Sequence, residues 1–337
     1  MIIGQINIEK PLLLAPMEGV TDLPFRLICK SLGADIVYTE FVNSEGLVRN
    51  SDKTHKKMEF LEEERPVGIQ IYGGNPNSMQ RAAQMAEELH PDIIDINCGC
   101  WVKNVTNNGA GSDLLRDLPR MEKIIRNVVQ ATRLPVTVKT RLGWDSENIR
   151  IVEVARLAEQ SGAAGLTIHC RTRAQAHKGD PDYSWIAKVK EAVKIPIIVN
   201  GSIGTPEQIV RLFDITGCDA VMIGRAAIDN PWLFKQARNF LVTGTFDAQP
   251  SIHERFDILL KHLNLSLQFK GNTRGIFEFR KHYAGYLKGY PHAAKIRMEL
   301  MNYKEYPPIA DLLLEYKEKL IKNLESAEII TQQAAAT

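Results

Sequence analysis

The sequence predicts an α/β protein, a (β/α)8 barrel of the TIM type followed by a small C-terminal all-helical bundle, and three observations predict it. Short β-branched apolar runs alternate with amphipathic helical stretches over the first two-thirds of the chain, eight times in all. These runs end in glycine or polar residues, as strands do when their ends line the mouth of a barrel. Beyond residue 250 the strand signal stops and only helical periodicity remains. An open doubly wound sheet would also alternate, but no Gly-x-Gly-x-x-Gly follows the first strand.

Taken in order, the strands are expected at 12–17, 35–41, 67–73, 93–98, 135–141, 165–171, 195–201 and 220–224. Helical periodicity lies between them at 79–89, 121–131, 149–160, 185–193 and 207–213, several of these stretches opening on Asn, Ser, Asp or Thr caps. The turn-rich stretch 242–250 breaks the pattern, so the barrel is assigned to 1–243 and a linker to 244–250. A helical domain follows at 251–330, with helices at 252–270, 276–288, 293–301 and 309–324. Residues 331–337 lack an apolar face and are expected to fray.

At 337 residues, with 44% hydrophobic and 24% charged positions, the composition is that of an ordinary globular protein with ample core material. No apolar run reaches membrane-spanning length, and residues 1–5 lack a basic n-region, so neither a membrane span nor a signal peptide is expected and the cytoplasm is the expected location. Five scattered cysteines argue against a disulfide framework and fit a reducing compartment. Cys98-x-Cys100 is a poor zinc signal because no further ligand follows at metal spacing, so no metal is expected. A net charge of +2 decides nothing, but Lys270, Arg274, Arg280, Lys281, Lys288, Lys295 and Arg297 crowd the C-terminal third. With Phe279, Tyr283, Tyr286 and Tyr290 among them they make either a solvated helix face or a surface of charge and stacking rings suited to RNA.

The reactive inventory sits at the strand ends. The run Asp95-Ile96-Asn97-Cys98-Gly99-Cys100-Trp101 carries a strand into a thiol placed where barrel enzymes do chemistry, although most free cysteines are simply buried filler. Lys139 is either a solvated cation or a fixed charge facing an anion, and Gln70 and His169 are either satisfied core residues or site donors. Asn200-Gly201-Ser202 and Gly224-Arg225 end the seventh and eighth strands, whose loops are the usual phosphate site of this fold.

The runs Ala15-Pro16-Met17-Glu18-Gly19-Val20-Thr21-Asp22-Leu23-Pro24-Phe25-Arg26, Ile69-Gln70-Ile71-Tyr72-Gly73, Asp95 to Cys100, Val138 to Trp144, Asn200-Gly201, and Met222 to Arg225 with Asn230-Pro231-Trp232 occur in one order across the barrel. Arg280-Lys281-His282-Tyr283 and Tyr286-Leu287-Lys288-Gly289 follow them. With these motifs the chain resembles the tRNA-dihydrouridine synthases, their bacterial B-type branch in particular. The resemblance implies an FMN-dependent barrel that uses NADPH to reduce the carbon 5–carbon 6 double bond of a D-loop uridine in tRNA. It implies that Cys100 is the proton donor and that Asn97 lies near the target base. Pro16, Met17, Gln70, Lys139 and His169 match isoalloxazine contacts, and Asn200, Gly201, Gly224 and Arg225 match phosphate-side contacts, with Ser202 in the same loop.

Two positions depart from the family pattern. Gly-Cys-Pro is Gly99-Cys100-Trp101 here, and Asn-Gly-Asp is Asn200-Gly201-Ser202. Neither removes a reacting group. Hydrogen transfer from reduced flavin to uracil carbon 6 needs an acid meeting carbon 5 from the other face, and a thiol of ordinary pKa about 8.5 is protonated at neutrality yet yields its proton readily. A stacked uridine must also be flipped out and its backbone gripped, a task expected of Arg141, Arg171 and Arg173 at the mouth and of Arg280, Lys281 and Lys288 in the helical domain. The other reading is an FMN barrel acting on a small molecule such as dihydroorotate, its helical domain serving only for packing. The expected partner is tRNA, with no protein partner called for and a monomer as the expected state.

Overall fold

The computed structural model describes residues 1–335, which divide into two compact units. The first comprises Met1–Ala227 and Leu233–Phe246, the second Ile228–Trp232 and the chain from Asp247 onward. A linker is expected at 244–250; the first unit ends at Phe246, and the segment Ile228–Trp232 groups with the helical unit.

The first unit opens with a hairpin, β1 (Ile2–Ile3) and β2 (Ile6–Asn7), which the sequence reading missed because each strand is only two residues long. Nine further strands follow: β3 (Leu12–Leu14), β4 (Val37–Tyr38), β5 (Val42–Asn43), β6 (Val67–Tyr72), β7 (Ile93–Cys98), β8 (Val136–Arg141), β9 (Gly165–His169), β10 (Ile197–Asn200) and β11 (Ala220–Ile223). They pair in parallel in the order β3-β11-β10-β9-β8-β7-β6-β4, with β5 beside the far end of β6. The circle closes where the Asp35 N–H donates to the Leu12 carbonyl and the Leu14 N–H to the Ile36 carbonyl, both at 2.9 Å. This is the eight-position barrel. The second expected strand, 35–41, is split into β4 and β5, and between them the Glu40 carboxylate accepts from the Gly19 N–H at 2.6 Å.

A side-chain period of two along each strand sends alternate residues inward. At the lower end the inward set is Leu13, Ile36, Tyr38, Ile93, Ile198, Ala220 and Met222, plugged by Ile3 and Ile6 from the hairpin. Burying one such isoleucine stabilises by roughly 1.5–3 kcal/mol. Gly68 makes room for the Tyr38 ring, since a Cβ there would lie 2.5 Å from it. The helices Pro76–Glu87, Leu118–Ala131 and Pro206–Thr216 begin at Asn75, Asp117 and Thr205, each accepting backbone N–H groups, with proline in the first turn. Two of them start three residues before the apolar periodicity does, because a capped first turn need not touch the core. Arg26, the last residue of the first matched run, is fully buried in an ion pair with Glu64 at 2.5 Å.

The second unit holds helices Ile252–Lys270, Asn272–Phe279, Tyr283–Tyr286, Ala293–Leu300 and Tyr306–Ala335, with a 3-10 turn at Arg280–His282. A capping box of Ser251 and Glu254 starts the first helix, and Gly271 at φ 77° ends it. The continuous helix expected at 276–288 is instead broken into three pieces, which brings Gly285 hard against Ile228 and Asp229. The last helix is assigned to Ala335, and residues 336–337 of the tail expected to fray lie outside the described residues. Among the described residues no helix is long and apolar enough to cross a membrane.

One reading of this unit needs correction. Phe279, Tyr283 and Tyr286 are at most 2% exposed, with Phe279 edge-on to Tyr283 at 5.1 Å and stacked on Tyr286 at 6.4 Å, so they offer no stacking surface to RNA. Tyr290 is half-buried beneath the Arg255 guanidinium. The charges are partly spoken for as well. Glu278 pairs with both Lys270 and Arg274, and Arg280 donates to the carbonyls of Met301 and Tyr303. Lys281 is half-buried, while Lys288 is exposed, 3.5 Å from Asp229.

Candidate active site

Barrel register decides which side chains meet at the upper end. Gln70 is aligned with Asp95, Asn97 with Lys139, and Asn200 with both His169 and Met222. These are the inward positions of β6 to β10, two or four residues above the apolar layer, and every one is polar. Gln70, Asp95, Asn97, His169 and Asn200 are buried, and Lys139 is half-buried.

The thiol follows directly. Cys100 is half-buried on the loop after β7, whereas Cys29, Cys98, Cys170 and Cys218 are all buried. Its N–H donates to Asn97 Oδ1 at 2.9 Å, as does that of Gly99 at 3.1 Å, and its carbonyl accepts from both the Ser112 N–H and the Ser112 hydroxyl at 2.9 Å. Burial pushes the thiol pKa up, against weaker pulls from the Val102 N–H, Arg141 and Lys139. It is a thiol, not a thiolate, at neutral pH.

Among the described residues Lys139 Nζ has a single long hydrogen bond, 3.3 Å to Asn200 Oδ1, while Asn200 Nδ2 donates to the Met222 carbonyl at 2.8 Å. Burial and Arg141 lower the Lys139 pKa to about 8, opposed by Asp95, so it stays mainly charged at pH 7 with donors to spare. His169 is pushed far down by burial and by the neighbouring Arg141, Lys139 and Arg171, which leaves a neutral imidazole. It lies beside Gly201, whose φ of 132° favours glycine and where a Cβ would sit 3.1 Å from the ring.

The mouth arginines differ from one another. Arg141 is 2% exposed and donates to three backbone carbonyls, Gly99 at 2.8 Å, Thr172 at 3.0 Å and Ala176 at 2.9 Å. Arg171, equally buried, is bonded to the Gly179 carbonyl and to the Ser202 hydroxyl at 2.8 Å. Arg173 stacks over Trp144 at 4.4 Å. The first two hold loops together rather than project outward. Arg225 is exposed, with no hydrogen-bond or ion-pair partner among the described residues, and follows the open Gly224, near which a Cβ would find only Ala15 and the Met17 sulfur. Pro16 and Met17 are half-buried, and Ser202 is exposed at φ 46°. Trp101, at the departure from Gly-Cys-Pro, is 37% exposed and meets the His177 ring edge-on at 5.7 Å.

The barrel therefore gathers Pro16, Met17, Gln70, Asn97, Cys100, Lys139, His169, Asn200, Gly201, Ser202, Gly224 and Arg225 at one set of strand ends, while Arg280, Lys281 and Lys288 belong to the helical unit. Sequence reasoning passed over Asp95 and Thr137. Asp95 had left a trace, a carboxylate between Ile94 and Ile96 in a buried strand, which must find donors somewhere.

A family model described as dihydrouridine synthase matches residues 13–322. Among curated proteins, tRNA-dihydrouridine synthase B of Pseudomonas aeruginosa is 43% identical over 297 residues, covering 88% of this chain and 90% of that one. The protein of the same name from Xanthomonas axonopodis pv. citri is 40% identical over 329 residues, covering 97% and 98%. Among solved structures, the 6-hydroxypseudooxynicotine amine oxidase of Pseudomonas geniculata N1 matches with a TM-score of 0.56 at 12% identity, over 77% of this chain and 52% of that one, a likeness of fold alone.

Proposed function

Because this chain belongs to the dihydrouridine synthase family, we propose that it is the oxidoreductase that reduces a D-loop uridine of tRNA to dihydrouridine, with FMN as bound cofactor, NADPH as reductant and Cys100 as proton donor. The observation that carries the reading is the half-buried Cys100 on the loop after β7, its thiol pushed up by burial and lying within the fields of Arg141 and Lys139, beside strands that supply Gln70, Lys139, His169 and Asn200.

The residues present fit a flavin mononucleotide. Gly224 leaves the end of β11 open to a phosphate, with Arg225, unpaired among the described residues, beside it, and the Ser202 hydroxyl lies in the loop after β10. Met17 and Pro16 give an apolar edge, and Lys139, with unfilled donors, gives the fixed cation that an anionic ring edge requires. When bound and reduced, the cofactor supplies the two electrons and the hydrogen delivered to uracil carbon 6. Lys139 holds positive charge at the ring edge, the neutral His169 offers a ring nitrogen rather than competing charge, and Cys100 Sγ holds the proton destined for carbon 5. Buried strand ends exclude water from that exchange.

Recognition of tRNA by the helical unit rests on charge and not on stacking by Phe279, Tyr283 and Tyr286, since those three rings are core. The test is mass spectrometry of tRNA from cells lacking the gene. One D-loop dihydrouridine should revert to uridine, lighter by two hydrogens, and the purified yellow protein with NADPH should restore it. Unchanged tRNA, or a colourless protein that restores nothing, overturns the proposal.

A further inference from the structure

Below the thiol lies a chain of buried hydrogen bonds that no step above uses. The Thr137 hydroxyl donates to Asp95 Oδ1 at 2.5 Å, and Gln70 Nε2 donates to Asp95 Oδ2 at 2.5 Å. Gln70 Oε1 accepts from Asn97 Nδ2 at 2.8 Å, and Asn97 Oδ1 accepts from the N–H groups of Gly99 and Cys100. All four side chains are buried.

The direction of this chain is forced from both ends. An ionised carboxylate can only accept, so it turns the Gln70 amide nitrogen toward itself and the oxygen toward Asn97. Backbone N–H groups can only donate, so they turn the Asn97 oxygen toward the loop and its nitrogen toward Gln70. Both amides are satisfied in one orientation only. Three strands of the barrel thus fix the backbone of the residue that carries the thiol.

We propose that Asp95 is a positioning residue for the proton donor, acting through Gln70 and Asn97 to hold the Gly99–Cys100 backbone where the thiol meets its substrate. This rests on the reading of Cys100 as proton donor. Burial pushes the Asp95 carboxyl up to about 6, so its ionisation opposes folding, and the fold has no stability reason to keep a charge there. Isosteric removal of the acceptor frees Gln70 to rotate, and the Asn97 acceptor then loses its fixed direction.

The test uses the flavin-loaded enzyme and an unmodified tRNA transcript. Asp95→Leu should slow flavin reoxidation by tRNA on the order of 100-fold, within the range of misplacement effects, while reduction by NADPH changes by less than about threefold. Asp95→Asn, which still accepts from Gln70, should restore most of that loss, and its melting temperature should not fall. In the flavin-free protein, Cys100 is the half-exposed thiol, and Asp95→Leu should change its rate of alkylation by iodoacetamide at least about threefold as the loop loosens. Asp95→Leu combined with Cys100→Ala should be no slower than Cys100→Ala alone.

Normal reoxidation in Asp95→Leu, or losses that multiply in the double variant, overturns the inference. Normal turnover by Cys100→Ala alone overturns instead the reading it rests on. Should Asp95→Leu not fold, Asp95→Ala takes its place with the same expected pattern of reoxidation, alkylation and non-additivity. No change in thiol reactivity or reoxidation there counts against the proposal.

Discussion

The lower and upper halves of the barrel interior are built from the same strands in the same register, yet they answer to different demands. Strand β7 shows it within six residues: Ile93 packs with Ile3 and Ile198, Asp95 enters a polar chain, and Asn97 holds the thiol loop. Below, the inward residues are interchangeable in kind, since only volume and apolarity matter there. Above, Thr137, Asp95, Gln70 and Asn97 each have a named partner and a direction. A barrel can therefore lose stability from one end and activity from the other, and the two losses should separate in experiment.

The sharpest break is Cys100→Ala. Turnover per bound flavin should fall by about 10² to 10⁴, the span of a lost general acid, while thermal melting hardly moves because the thiol is on a loop and half-exposed. Ile198→Ala should do the reverse. It should cost about 2–5 kcal/mol by chemical denaturation, with turnover per folded molecule within about twofold.

Lys139→Met tests the charge in the upper half. Flavin reduction should slow about 10²-fold, on the scale of one lost electrostatic donor. The wild-type rate should hold at pH 7 and fall as pH rises through about 8, because Lys139 is charged below that value and neutral above it. That alkaline limb should vanish in Lys139→Met. Cys100 cannot supply it, since burial moves its titration above the ordinary thiol range. The smallest effect is expected from Lys288→Ala, an exposed cation of the helical unit. It should weaken tRNA binding a few-fold and flatten the salt dependence by about one phosphate contact, as read by a filter-binding titration.

The lower half was largely legible in the sequence, because alternation and β-branched runs report burial directly, and β7 is found where the sequence puts it, at Ile93–Cys98. The upper half was legible as an inventory but not as a circuit. Thr137, Asp95 and Gln70 are separated by 42 and 25 residues in the chain, and only the register of three strands shows that they touch. The misreading of the helical unit has an equally physical cause. Phe279, Tyr283 and Tyr286 fall at positions i, i+4 and i+7, the spacing of a core stripe, and the intervening charges disguised it.

Arg141 carries one more lesson, for anyone who would exchange parts between relatives. Its guanidinium clasps Gly99 from the loop after β7 and Thr172 and Ala176 from the loop after β9, so these two stretches are inherited as a pair. Transplanting the Cys100-Trp101 loop by itself would strand a buried cation with carbonyls that no longer fit, and grafts should therefore carry 98–103 and 171–179 together.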